Sequence, residues 1–123
     1  MDLITKKIRV LLFIISIFIS TTVFGEQVKG SILNELELSE NKDTLLKYNG
    51  NHHILDLSKY DELSNVKVIG RKAFAHNHQL RDVILPHKVQ IIGNGAFEGC
   101  EKLTRIYMPD CVEHIEAGAF WEC

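Results

Sequence analysis

The fold class this sequence predicts is a β-rich solenoid, a stack of coils built from short strands and 3₁₀ or tight turns and preceded by a small N-terminal β cap. The main observation is a 23-residue period. Leu80 answers Leu103 and Pro86 answers Pro109, while Val66, Val89 and Val112 fall in step, as do Ile69, Ile92 and Ile115. Ala73, Ala96 and Ala119 repeat beside Phe74, Phe97 and Phe120, and Asn77, Cys100 and Cys123 close each unit. A period of this length is the mark of a repeat architecture in which each unit is one supersecondary element. The second observation is strand chemistry inside each unit: Val83 and Leu85, or Ile106 and Met108, stand two residues apart, as strand geometry needs to put them on one face, and then meet proline.

Residues 1–25 read as a signal peptide. Lys6, Lys7 and Arg9 precede an apolar run from Val10 to Ile19, and Val23 and Gly25 suit a small-residue cleavage site. The run is shorter than the ~20 residues of a spanning helix, although a retained N-terminal anchor is the alternative, and membrane contact is expected only in that case. Residues 26–56 are expected to form the capping segment. Strands are expected at Glu35–Leu38, Thr44–Tyr48 and His53–Leu57, separated by a turn at Ser39–Asp43 and by Asn49-Gly50-Asn51, whose Asn-Gly step suits a tight turn. Terminal units of a solenoid must cover the open end of its core. Residues 57–123 then hold about three repeats. The first is irregular, with Leu63 at the proline position and an apparent insertion over Lys59–Asn65.

The physical logic of a unit follows from its residue types. In Leu80-x-x-Val83-x-Leu85-Pro86, strand geometry turns Val83 and Leu85 to one side, and Pro86, lacking an N–H, ends the ladder. Val89-x-x-Ile92-Gly93 is a second short extended stretch, and Asn94–Cys100 is too short for a regular helix. A single coil cannot bury its apolar edge. Stacked coils can, and each large side chain buried is worth about 1.5–3 kcal/mol. The expected ladders are Val66, Val89 and Val112; Ile69, Ile92 and Ile115; Phe74, Phe97 and Phe120; Leu80 and Leu103; Val83 and Ile106; and Leu85 with Met108. Phe120 and Trp121 fall in the last coil and are candidates for self-association.

Charge and cysteine content narrow the function classes. Without residues 1–25 the chain carries 11 Lys and Arg against 15 Asp and Glu, an acidic balance unsuited to following a phosphate backbone. Nucleic acid is not an expected partner. Cys100, Cys111 and Cys123 are an odd number, so one thiol stays free or pairs outside the chain. Cys100 and Cys123 hold one place in successive coils and read as a ladder of small buried thiols, with a disulfide as the alternative if their geometry permits. Cys111, opposite Lys88, is placed on a turn. The histidines, His52, His53, His76, His78, His87 and His114, lack a defined zinc spacing, so no metal and no cofactor is expected. No catalytic residue follows from these spacings. The variable strand positions are the candidate binding residues: Arg81, Asp82 and Ile84 in one unit, and Arg105 and Tyr107 in the next.

The units Leu80–Cys100 and Leu103–Cys123, with Leu85-Pro86, Ile92-Gly93, Ala96-Phe97 and their counterparts, resemble the BspA-like leucine-rich repeats, a 23-residue bacterial type also described from treponemes. The segment Thr44–Gly50 is similar to one found before the first repeat in such proteins. The resemblance implies a right-handed leucine-rich-repeat solenoid without a shared catalytic motif. It also implies a secreted or cell-surface setting and binding to a protein, including adhesion to host or microbial surface proteins. Self-association into a homodimer through the exposed C-terminal coil is the alternative function.

Overall fold

The structure, a computed structural model, describes residues 32–123. The expected signal peptide, residues 1–25, lies outside the described residues. The chain divides into two units, Met1–Asn34 and Glu35–Cys123. Of the first, residues 32–34 are described and are helical.

The second unit is a solenoid whose coils contribute strands to two sheets. The strands are β1 (Leu36–Leu38), β2 (Thr44–Tyr48), β3 (Ile54–Asp56), β4 (Val68–Ile69), β5 (Asp82–Ile84), β6 (Ile91–Ile92), β7 (Arg105–Tyr107) and β8 (His114–Ile115). One sheet has the order β1-β2-β4-β6-β8 and the other β3-β5-β7. All pairings are parallel except β1 with β2, which is antiparallel and shifts register between Glu37 and Leu38. Parallel neighbours 23 residues apart are what a coil returning to the same place produces. Asp82 pairs with Arg105, and Ile91 with His114.

Parallel pairing begins upstream of residue 57. Thr44–Tyr48 and Ile54–Asp56, expected inside the capping segment, run parallel to the coils that follow. Thr44 pairs with Val68 and Leu45 with Ile69. Tyr48 donates its N–H to Ala73 O at 2.9 Å, as Phe74 does to Ala96 O and Phe97 to Ala119 O, both at 2.8 Å. Only β1 differs in direction. The irregular first unit is also resolved. Ile54 and Asp82 are partners although 28 residues separate them, five more than the regular spacing. Two 3₁₀ turns, Leu57–Lys59 and Asp61–Leu63, take up the excess. The period resumes at Val66, whose N–H reaches Leu63 O at 3.0 Å, as Val89 reaches Pro86 O at 3.3 Å and Val112 reaches Pro109 O at 3.2 Å. Leu63 therefore occupies the proline position of its coil, and Asn94–Gly99 is a run of turns without a 3₁₀ helix.

The core lies between the two sheets. Leu55, Val66, Ile69, Phe74, Leu80, Val83, Leu85, Val89, Ile92 and Phe97 are all buried. Phe74, Phe97 and Phe120 form one column, with ring centroids 4.8 and 5.4 Å apart and planes within 6° and 7° of parallel. Tyr48 extends this column, its ring 5.4 Å from that of Phe74 and tilted by 41°. The last coil departs from the expected core. Leu103, Ile106, Val112 and Phe120 are half-buried and Ile115 is 52% exposed, since no described coil covers that side. Gly93 is required by close approach: a Cβ there would lie 2.7 Å from Ile69 O. Glu116 holds the same place one coil on, and its N–H still bonds Ile92 O at 2.9 Å.

Candidate functional site

Alternation along the three-residue strands divides the β3-β5-β7 sheet into an inner and an outer side. Leu55, Val83 and Ile106 are paired across the sheet and point into the core. Their neighbours on the outer side form two rows. One row is Ile54, Asp82, Arg105 and the other is Asp56, Ile84, Tyr107. Ile54 and Tyr107, on the two outer strands of this sheet and in different rows, are 65% and 52% exposed.

Asp82 does not present a free carboxylate. It is 8% exposed because Arg105 lies over it, donating from Nε to Oδ1 at 2.8 Å and from Nη2 to Oδ2 at 2.7 Å. Thr104 Oγ1 adds a longer contact of 3.4 Å. This two-pronged geometry is the strong form of an arginine–carboxylate pair. The guanidinium hydrogen bonds hold the Asp82 carboxyl below the usual carboxylate range. Asp82, a candidate binding residue of the sequence, is thus buried and orients Arg105. Asp56 is similarly engaged. It accepts from Ser58 N at 3.1 Å and Ser58 Oγ at 2.6 Å, and Lys59 Nζ stands 3.1 Å away. Burial works to raise its pKa, but the Ser58 hydrogen bonds and the Lys59 charge outweigh it and leave the pKa lowered.

Beside these rows is a shallow depression of about 690 Å³ lined by His53, Ile54, Arg81, Asp82, Lys102, Thr104 and Arg105. Among the described residues neither Arg81 nor Lys102 has an ion-pair partner. The structure thus brings Asp82, Ile84, Arg105 and Tyr107 onto one side of one sheet, with Arg81, just before β5, lining the depression beside them. It adds Ile54, His53 and Lys102, none of them among the candidate binding residues of the sequence. The signal for Ile54 was Leu55-Asp56-Leu57-Ser58, a strand-and-turn fragment displaced from the period by five residues. Phe120 and Trp121 lie in the last coil, away from this surface in sequence, half-buried and 63% exposed respectively.

The remaining polar side chains have structural partners. Cys100 Sγ donates to Phe74 O and Cys123 Sγ to Phe97 O, each at 3.1 Å. Asn77 makes the equivalent bond with its amide, from Nδ2 to Gly50 O at 2.9 Å, while its Oδ1 accepts from Gln79 N and Leu80 N. The three cysteines are free thiols, and burial pushes that of Cys100 up to about 11. Cys111 Sγ lies 3.3 Å from His87 O and 3.2 Å from Val89 O. His52 Nδ1 is 2.7 Å from Tyr48 OH and 3.2 Å from Glu35 Oε2, and His53 Nδ1 is 3.0 Å from Gln79 O. Among the described residues no group of three His, Cys, Asp or Glu side chains is placed to hold a metal ion.

The model of the BspA-type leucine-rich repeat region, which describes six copies of the repeat, matches residues 15–123. The chain belongs to this family. A structural relative of this BspA-type repeat protein is the crystal structure of the leucine-rich repeat protein of T. pallidum. It is 36% identical with a TM-score of 0.62 over 72% of this chain. The match spans 42% of the T. pallidum chain. A search of curated proteins finds no match.

Proposed function

We propose that this BspA-type repeat protein is a non-catalytic protein-binding module of the cell exterior, acting as a secreted or surface-borne adhesion element through the outer side of the β3-β5-β7 sheet. The observation that carries this reading is the fixed array on that side, with Ile54 and Tyr107 exposed at 65% and 52% and Arg105 held in place by Asp82. Tyr and Arg are enriched among the residues that dominate binding energy, and an ordered arginine loses less freedom when it meets a partner. Family membership supports a protein as the partner, and the apolar run of residues 10–19 supports export.

The test is binding of residues 26–123 to immobilised host and microbial surface proteins. Saturable binding to at least one is expected, weakened about tenfold or more by Tyr107→Ala and unchanged by Lys67→Ala or Glu113→Ala, exposed positions flanking strands of the other sheet. Binding lost with the latter pair and kept with Tyr107→Ala would overturn the assignment. A second reading, self-association, rests on Met108, Ile115 and Trp121, which are 40%, 52% and 63% exposed in the last coil. A dimer that Trp121→Ser dissociates, with no protein bound by the monomer, would put that reading first.

A further inference from the structure

The outer side of the β3-β5-β7 sheet carries a charge opposite to that of the chain as a whole. Beyond residue 25 the sequence is acidic, with 15 carboxylate side chains against 11 Lys and Arg. Yet the depression gathers His53, Arg81, Lys102 and Arg105 around one carboxylate, Asp82, and Arg105 already neutralises it. The other acid of these strands, Asp56, is paired with Lys59. Arg81 and Lys102 are therefore left as uncompensated cations, both exposed and both without an ion-pair partner among the described residues. Apolar surface adjoins them, for Ile54 lines the same depression and Ile84 and Tyr107 follow on the next row.

We propose that this depression is the recognition site for an extended acidic peptide segment, with a carboxylate side chain held between Arg81 and Lys102 and a neighbouring aromatic or aliphatic side chain laid against Ile54, Ile84 and Tyr107. The proposal rests on the protein-binding reading of this sheet and names the chemistry of its partner. An extended segment suits the site because its alternate side chains all turn to one side, so a carboxylate and an apolar side chain two residues away both face the sheet. The preformed Asp82–Arg105 pair matters here. It removes the one carboxylate that would repel an acidic ligand, and it leaves guanidinium donors fixed at the rim. A nucleic acid is disfavoured by the same count, since two uncompensated cations and a single tyrosine supply neither a phosphate track nor a stacking run.

The probe is a blocked heptapeptide, Gly-Glu-Ser-Phe-Ser-Glu-Gly, beside its Gln-for-Glu counterpart, a heparin oligosaccharide and a single-stranded oligonucleotide. Saturable binding of the acidic peptide to the full chain is expected, at least fivefold weaker for Arg81→Gln combined with Lys102→Gln, weaker in high salt and absent for the Gln peptide. Both substituted residues are exposed, and an unchanged circular dichroism spectrum verifies the fold. Equal binding of the two peptides, or preference for heparin or the oligonucleotide, would overturn the proposal. Binding that responds to Tyr107→Ala and ignores the Arg81 and Lys102 changes would overturn the carboxylate assignment while keeping the sheet as the binding surface. Indifference to all three substitutions, with a protein partner bound elsewhere, would remove both.

Discussion

At the scale of single residues, one hydrogen-bonding requirement recurs in every coil and is met by two kinds of side chain. The carbonyls of Gly50, Phe74 and Phe97 each receive a donor from the closing position of the next coil, first the amide of Asn77 and then the thiols of Cys100 and Cys123. The Phe74 and Phe97 carbonyls already accept the backbone N–H of Asn77 and Cys100 at 3.2 and 3.1 Å, so the thiols fill the second acceptor site of each oxygen, and the position suits a small side chain that can donate. This explains why asparagine interrupts a cysteine ladder without breaking it. It also sets thiol reactivity. Burial raises the pKa of Cys100 to about 11 and also raises that of Cys123, and the thiolate is the reactive species. Brief iodoacetamide treatment of the native protein at pH 8, followed by peptide mass mapping, should leave Cys100 unmodified while Cys111 and Cys123 are alkylated. Denaturant should then expose Cys100. Alkylation of Cys100 in the native state at a rate equal to that of Cys111 would contradict the buried ladder.

The coil is the element, and its stability comes from its neighbours on both sides. Phe97 is enclosed between Phe74 and Phe120, whereas Phe120 is stacked on one side and half-buried. Truncating the enclosed ring leaves a cavity, and Phe97→Ala should cost about 3–5 kcal/mol. That is a large part of the stability of a domain this size. Phe120→Ala should cost about 1–2 kcal/mol, because less surface returns to water and the gap opens outward. Urea unfolding of the two variants measures the difference, and equal losses would mean that the column does not carry coil-to-coil cohesion. The column was legible in the sequence because Phe74, Phe97 and Phe120 keep the period. Tyr48 was not, because 26 residues separate it from Phe74 and the turn between them is longer. The same cause hid Ile54. An insertion in 3₁₀ turns shifts sequence spacing while leaving the rung in place. Asp82 and Ile84, with Arg105 and Tyr107, could be assigned to a shared side from alternation alone, but the burial of Asp82 could not. It depends on where the flexible Arg105 side chain comes to rest, which no period encodes.

For the whole molecule, pH is the variable that the carboxylates set. Asp43, Asp56 and Asp82 are each held below the usual carboxylate range: Asp43 first by the Thr44 hydroxyl, Asp56 by Ser58 and Lys59 against burial, and Asp82 first by Arg105. A carboxyl lowered in the folded state contributes stability above its unfolded pKa, about 3.9, and that contribution is lost as pH falls through the folded value. The melting temperature should therefore fall as pH drops from 5 toward 2. Asp82→Asn should melt below the parent at pH 6, and the gap should narrow toward pH 2. A gap that stays constant across that range would show that the Asp82–Arg105 pair contributes no charge-dependent stability.

The two boundaries of the larger sheet are unlike. On one, β1 turns against the direction of every other strand and shifts register at Glu37 and Leu38; on the other, β8 follows the common direction. Antiparallel closure with a bulge blunts a sheet margin against further pairing. Lengthening by duplication of a 23-residue unit is thus polarised: an added rung fits beyond β8 or between existing rungs, and never outside β1. Each such rung would carry its outward residues about 4.8 Å from the last, so the protein acts as a ruler that can be extended without changing its graduations.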